Sequence, residues 1–265
     1  MAKRKQKIEV TAEPEPPPPA GHIALLSDIH GNLDALEAVL EDMKAYDVRS
    51  VICLGDVVGY GPEPGACVRL MRGLSSHATL GNHELMLLMM VWRTLGDIGK
   101  ELTPSIRLAR AQLDRDDIAW ISAMALGKDL ETFSIVHSSF FQPASYPYIQ
   151  TMEDAENCIR EQPTPLSFHG HTHVPVIWVH EHDGMSGFEP NEEPYLLHPR
   201  ARYSINVGSV GQPRDDDPRA CYCLYHPTEH TILHRRVAYD IPAAQARFRA
   251  AGMRFFDVER IAEGY

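Results

Sequence analysis

The chain has 265 residues, 44% of them hydrophobic, enough to bury a sizeable core as one large α/β domain or two small ones. Its formal net charge of −11 argues against a general binder of nucleic acid or of anionic membranes, because such partners demand a basic face. The five cysteines are scattered and odd in number, which does not resemble a disulfide framework and points to a reducing, cytoplasmic compartment.

Residues 1–20 begin basic and end in acid and proline, with no apolar region of the length a secretory signal needs, and read as a disordered tail. No apolar run reaches the length of about 18 residues that would suggest a bilayer span. From His22 onward, short β-type runs alternate with helical stretches, which predicts a single α/β domain over 21–265. A strand over 22–27 is followed by the loop DIHGN, and Asn32 is placed to cap a helix carrying Leu33, Leu36, Val39, Leu40 and Met43 at helical spacing. Strands over 50–55 and 77–81 hand over directly to Asp56 and Asn82. Residues 85–126 read as helical, broken near Pro104 and at Asp114, Asp116 and Asp117, and are expected to cap the site. A strand over 132–138 and a helix over 152–161 follow. The runs at 166–180, 203–208, 220–226 and 230–239 predict a β-rich second half that supplies a second sheet, interrupted by an acidic surface loop or hairpin at 181–200. A helix closes the pattern over 241–252. Cys221 and Cys223 alternate within the apolar run CYCLY and read as two small residues on one strand face rather than as metal ligands.

Five clusters carry chemistry, nearly all at strand ends: SDIHGN, LGDVVGYGP, LGNHE, IVHSS and GHTH. They offer Asp28 and His30, Asp56, Asn82 with His83, His137, and His171 with His173. Any one alone recurs by chance; together they match the inventory of a two-metal phosphoesterase. Asp, His and Asn without thiolate suit two divalent ions at which phosphate is to be bound. The spacing of two in Asp28–His30 and His171–His173 puts each pair on one side of an extended segment. Two divalent ions set against Asp28, Asp56 and a bridging hydroxide leave a net of about +1, so the site attracts an anion in an acidic protein. Such ions lower the pKa of bound water to about 7, which supplies the nucleophile. His83, beside Asn82, is the candidate acid for the leaving oxygen. Arg214 follows a Gly-rich segment and is a candidate phosphoryl contact, with a salt bridge to Asp215–Asp217 as the alternative. His169 is either a partner of the ligand pair or an ordinary strand histidine.

These blocks resemble the calcineurin-like metallophosphoesterase superfamily over roughly residues 22–252, and GDVVGYGPEP, GNHE and NVGSVGQPRDDDPRACY are similar to its YfcE-like prokaryotic phosphodiesterase branch. The resemblance implies a four-layer αββα sandwich of two mixed β-sheets flanked by helices. It implies that Asp28, His30, Asp56 and His173 hold one ion, that Asp56, Asn82, His137 and His171 hold the other, and that manganese, iron or zinc are the ions. It also implies that His83 acts on the leaving group. The expected activity is hydrolysis of a small, nucleotide-derived phosphodiester, without nucleic-acid or membrane partners. A phosphomonoesterase or protein phosphatase on the same site, and a metal-binding interaction scaffold, are the alternatives. The helical stretch and the loops HSSFFQPASYPY and GSVGQPRDD are expected to line the entrance.

Overall fold

The computed structural model describes residues 21–91 and 103–265; the tail expected over 1–20 and residues 92–102 of the expected cap lie outside the described residues. The first strand, β1 (His22–Leu26), leads through a tight loop into α1 (Leu33–Asp42), where the Asn32 side chain accepts the Ala35 N–H and so satisfies one of the free donors of the first turn. Next come β2 (Val48–Cys53), α2 (Pro64–Leu74), β3 (Ser75–Ala78) and α3 (Asn82–Val91). Helices α4 (Thr103–Gln112) and α5 (Arg115–Ser122) follow, the latter opened by a reciprocal box between Asp114 and Asp117. Then come β4 (Gly127–Asp129), β5 (Ser134–Val136), α6 (Met152–Glu161), β6 (Leu166–His169), β7 (Val176–Glu181), β8 (Gly184–Phe188) and β9 (Tyr195–Leu196). The chain ends in β10 (Arg202–Asn206), β11 (Ala220–His226), β12 (Thr231–Val237), α7 (Ile241–Ala250) and α8 (Phe255–Glu263).

Two mixed six-stranded sheets lie between helices. One has the order β3-β2-β1-β11-β12-β9 and the other β4-β5-β6-β10-β7-β8. The parallel runs β1–β2–β3 and β5–β6–β10 sit within each sheet, and antiparallel partners complete it. Ile23 and Leu25 of β1 face the second sheet and pack with Ile135, Phe168, Ile177 and Ile205, whereas Ala24 and Leu26 point the other way into a core built with α1, α2 and α3. A strand covered on both faces reads as an unbroken apolar run, which is why HIALL shows no alternation. On the outer face of the second sheet Trp178 packs against Ala155, Cys158 and Ile159 of α6, completing four layers.

The runs expected at 166–180 and 203–208 do build the second sheet, but those at 220–226 and 230–239 do not. β11 and β12 join the first sheet beside β1, while β4 to β8 and β10 make the second. Strand partners are chosen by long-range pairing, which local periodicity does not report. In β11, Cys221 and Cys223 are buried alternate residues, and Cys223 faces the inter-sheet core. The segment 181–200 is a hairpin, β7–β8, that then crosses to place β9 on the edge of the first sheet. The described part of the expected cap buries Ile106, Ala109, Leu113 and Ile121 in the first core. Helix α2, with proline in its first turn, and helix α8 were not expected from the sequence.

Candidate metal centre

The five clusters converge at one end of the two sheets, on loops that leave β1, β2, β3, β5 and β6. The carboxylate of Asp28 lies 3.3 Å from His173 Nε2 and 3.8 Å from His30 Nε2. Asp56 Oδ2 lies 3.3 Å from His137 Nε2, 3.8 Å from His30 Nε2 and 3.9 Å from His83 Nε2. Three groups have ligand atoms within 4.8 Å of one another: Asp28 with His30 and His173, Asp56 with His137 and His171, and, between them, His30 with Asp56 and His83. Asp56 belongs to two of these. Asn82 opens α3, and its Oδ1 is buried without a hydrogen-bond partner, as is Asp28 Oδ1.

The tautomers of four histidines follow from their outer partners. His30 Nδ1 donates to Val58 O at 3.0 Å, His173 Nδ1 to Gln212 O at 2.6 Å, His137 Nδ1 to Leu54 O at 2.7 Å and His171 Nε2 to Tyr146 O at 3.0 Å. A carbonyl only accepts, so each of these nitrogens carries a proton, and in the neutral ring the other carries a lone pair. The inner nitrogens face each other: His30 Nε2 to His173 Nε2 and His137 Nε2 to His171 Nδ1, each at 3.2 Å. With the rings neutral, the inner nitrogens and the buried carboxylates form a cavity lined by acceptors, which a divalent cation fits. The donor set is hard to borderline throughout, as manganese, iron or zinc prefer.

The electrostatics run the same way. Burial alone would push the Asp28 and Asp56 carboxyls upward, but the surrounding imidazoles hold both well below the ordinary range. Burial keeps His30 and His173 below the usual value and lowers His171 to about 3, so these candidate ligands stay neutral at physiological pH. Burial also opposes charge on His137, yet Asp56 outweighs it and the ring is pushed up to about 10, which shows how strongly this spot favours positive charge.

The ligand backbone is not extended as the spacing of two had suggested. Asp28, His30, Asp56, His171 and His173 have φ of 54°, 49°, 52°, 69° and 64°, the left-handed region that L-residues seldom occupy. Both D-x-H and H-x-H are therefore tight turns. Strain of this kind persists only where the surroundings over-determine it. The loop before His171 is pressed against β1: a Cβ on Gly170 would lie 2.0 Å from Ser27 Oγ and 2.4 Å from Asp28 Oδ2.

Several supporting residues were not singled out from the sequence. The buried Glu84 carboxylate accepts the N–H groups of Asp56 (2.7 Å), Val57 (2.8 Å), Val58 (3.1 Å) and Gly81 (3.1 Å), fixing the Asp56 turn to α3. Asn206 at the end of β10 donates to Gly170 O (2.7 Å) and Thr172 Oγ1 (2.9 Å), and Ser209 donates to Asp28 O (2.8 Å). Their signal was position, an acid in GNHE and polar residues in NVGS, but nothing local tells a clamp from a surface residue. His169 is fully buried in β6, near the Asn206 amide at 3.3 Å, and is lowered to about 4 by burial.

His83 is 3% exposed, stands against His30 and Tyr60 with ring centroids 4.7 Å away in each case, and has an unpartnered Nδ1. Arg214 does not pair with the acids that follow it; its N–H donates to His173 O at 3.2 Å, and its side chain reaches Gln212 Oε1 at 3.0 Å. Of the entrance aromatics, Phe140 joins the α6 core, Tyr146 O receives the His171 proton, and the half-exposed Tyr148 stacks on His171 at 4.4 Å and 13°.

Residues 22–230 match the calcineurin-like phosphoesterase superfamily domain. The crystal structure of a metallophosphoesterase from Sphaerobacter thermophilus is 34% identical, superposes with a TM-score of 0.82, and covers 93% of this chain and 100% of its own. An uncharacterized protein of Methanocaldococcus jannaschii is 32% identical over 228 residues, 84% of this chain and 89% of that protein. A symmetrical bis(5'-nucleosyl)-tetraphosphatase of Vibrio parahaemolyticus is 25% identical over 189 residues, 69% of this chain and 65% of that enzyme. The chain belongs to the calcineurin-like phosphoesterase superfamily.

Proposed function

We propose that the protein is a dinuclear metal-dependent phosphodiesterase acting on a small, nucleotide-derived substrate. The observation that carries this reading is the set of four imidazoles whose outer nitrogens are committed to backbone carbonyls and whose inner nitrogens meet buried carboxylates without a donor between them. In this assignment Asp28, His30, Asp56 and His173 would hold one ion and Asp56, Asn82, His137 and His171 the second, with Asp56 serving both. When bound, divalent ions polarise phosphoryl oxygens and supply water whose pKa is lowered to about 7.

The remaining tasks fall to the chain. His83 gives a proton to the departing oxygen. Burial outweighs Asp56, 3.9 Å away, and holds the His83 pKa below the usual value, and the negative charge of an arriving phosphoester adds to Asp56 in favouring the protonated ring. Tyr148 on His171 and Tyr60 on His30 shield the two ends of the histidine cluster, and Arg214 binds a non-bridging oxygen. The tetraphosphatase relative supports a nucleotide-derived substrate. Free, buried cysteines support a cytoplasmic setting, and among the described residues no helix is long and apolar enough to cross a membrane.

A phosphomonoesterase is the second reading, favoured by one feature: an Arg214 side chain without a carboxylate partner is suited to the extra charge of a monoester. Comparison of kcat/KM on bis-nitrophenyl phosphate and nitrophenyl phosphate, after metal removal and manganese reconstitution, separates the two. The diester is expected to be preferred; a preference for the monoester replaces the first reading with the second.

A further inference from the structure

Gln212 is 1% exposed, and its side-chain oxygen is shared by two cations. Arg214 Nη2 donates to Gln212 Oε1 at 3.0 Å, and Nη1 of Arg260, from α8, donates to the same oxygen at 3.4 Å. Two guanidinium ions thus converge on one uncharged acceptor. The acids nearby are committed elsewhere: Asp215 to Arg236, Asp217 to Arg219, and Asp257 to both prongs of Arg254 at 2.7 and 2.8 Å. Among the described residues, neither Arg214 nor Arg260 forms an ion pair with a side-chain carboxylate. Arg260 is otherwise held by donating Nε–H to Tyr265 O at 2.6 Å and by the Phe256 ring at 4.7 Å. Two further donors in the cluster are buried and unpartnered, Gln212 Nε2 and Arg214 Nε. Burial and the neighbouring Arg214 charge both hold the Arg260 guanidinium below its usual range. The cluster is rich in donors and positive charge, the reverse of the acceptor-lined metal centre, and among the described residues no side-chain carboxylate neutralises it.

Its position gives an anion there a role. His173 Nδ1 donates to Gln212 O, Arg214 N–H donates to His173 O, and the Arg214 guanidinium lies 6.0 Å from the centre of the Tyr60 ring, which itself contacts His30 and His83. The donor cluster therefore begins where the His30–His173 side of the metal centre ends. We propose that Arg214, Arg260 and Gln212 form a subsite for a second phosphoryl group, so that the natural substrate is a di- or polyphosphate ester rather than an isolated phosphodiester. This rests on the phosphoesterase reading above. Guanidinium forks match the oxygens of a phosphoryl group in pairs, and the two unpartnered N–H groups supply further donors once an acceptor arrives.

The test uses the manganese-loaded full chain, with manganese in excess, and inorganic tripolyphosphate and orthophosphate as probes. Each is measured as an inhibitor of bis-nitrophenyl phosphate hydrolysis and, independently, by calorimetric binding. The wild type binds tripolyphosphate more tightly than orthophosphate, and Arg260→Gln loses about ten- to a hundredfold in tripolyphosphate affinity, so the ratio between the two probes collapses. Arg260→Lys, which keeps the charge and the apolar stem, loses less. If Arg260→Gln fails to fold by circular dichroism, Arg260→Met, which keeps the apolar stem against Phe256, takes its place in the same comparison. A wild type without preference for tripolyphosphate, or a ratio unchanged in the variants, overturns the subsite. Arginine-dependent tripolyphosphate binding in a protein that hydrolyses no phosphodiester supports the subsite while removing the activity assigned above.

Discussion

Gly59 and His83 are fitted to each other at atomic range. Gly59 has φ of +95°, and a Cβ built on it would lie 2.0 Å from His83 Nδ1, so any side chain there must displace the ring. This makes Gly59→Ala a remote way to disturb the assigned acid. The variant is expected to keep its metal, measured by plasma emission spectroscopy, and to lose turnover as His83→Ala does. For His83→Ala the loss should be about 10²- to 10³-fold on an alkyl phosphodiester and smaller on a nitrophenyl ester, whose leaving group departs without a proton. Equal losses on both substrates would remove His83 from the acid role. The ligand types and their order were legible in the sequence because each sits next to a strand end. Their left-handed backbone was not, since the turn at Asp28 is held by Ser209 and the one at 170–173 by Asn206, each far away in sequence.

At the scale of elements, the start of α3 and the turn after β2 behave as one piece because Glu84 gathers four N–H groups from Asp56, Val57, Val58 and Gly81. Glu84→Gln replaces one acceptor oxygen with a donor that faces N–H groups. It is expected to weaken manganese affinity by about 10- to 100-fold, the usual effect of losing an outer-shell partner. Competition with a metal-sensitive dye measures this, and an unchanged affinity would mean the turn holds without the clamp. Helix α1 was predictable because its signal is local: Asn32 caps it, and Ala35, Leu36 and Val39 recur on one face. The placement of β11 beside β1 was not, because antiparallel pairing of Ala24 with Leu224 joins residues with no shared local pattern. The Arg260 contact was invisible for the same reason, as α8 meets the GSVGQPR segment only in the folded chain.

The whole molecule carries its site between two sheets whose core contains buried, neutral histidines away from the ligands. His234 is 3% exposed, donates Nε2–H to Asn206 O at 2.8 Å and has its pKa lowered by burial from 6.5 to about 4. The unfolded chain therefore binds a proton below about pH 6.5 that the folded chain resists until about pH 4. Stability from this residue is complete above 6.5 and is lost as the pH falls toward 4, on the order of 2 kcal/mol of it by pH 5. Urea unfolding of His234→Gln at pH 7 and pH 5 should show a pH dependence smaller by that amount, whatever the offset at pH 7. An identical slope in variant and wild type would show that His234 is already protonated in the fold.

The proposed activity requires two cations that share Asp56. The most direct test is the manganese stoichiometry of the reconstituted chain, measured by calorimetry for wild type and for Asp56→Asn. The account predicts two ions per wild-type chain and the loss of tight binding at both sites in the variant, because one carboxylate serves each. One ion per chain, or two ions retained with unchanged affinity in Asp56→Asn, would contradict it.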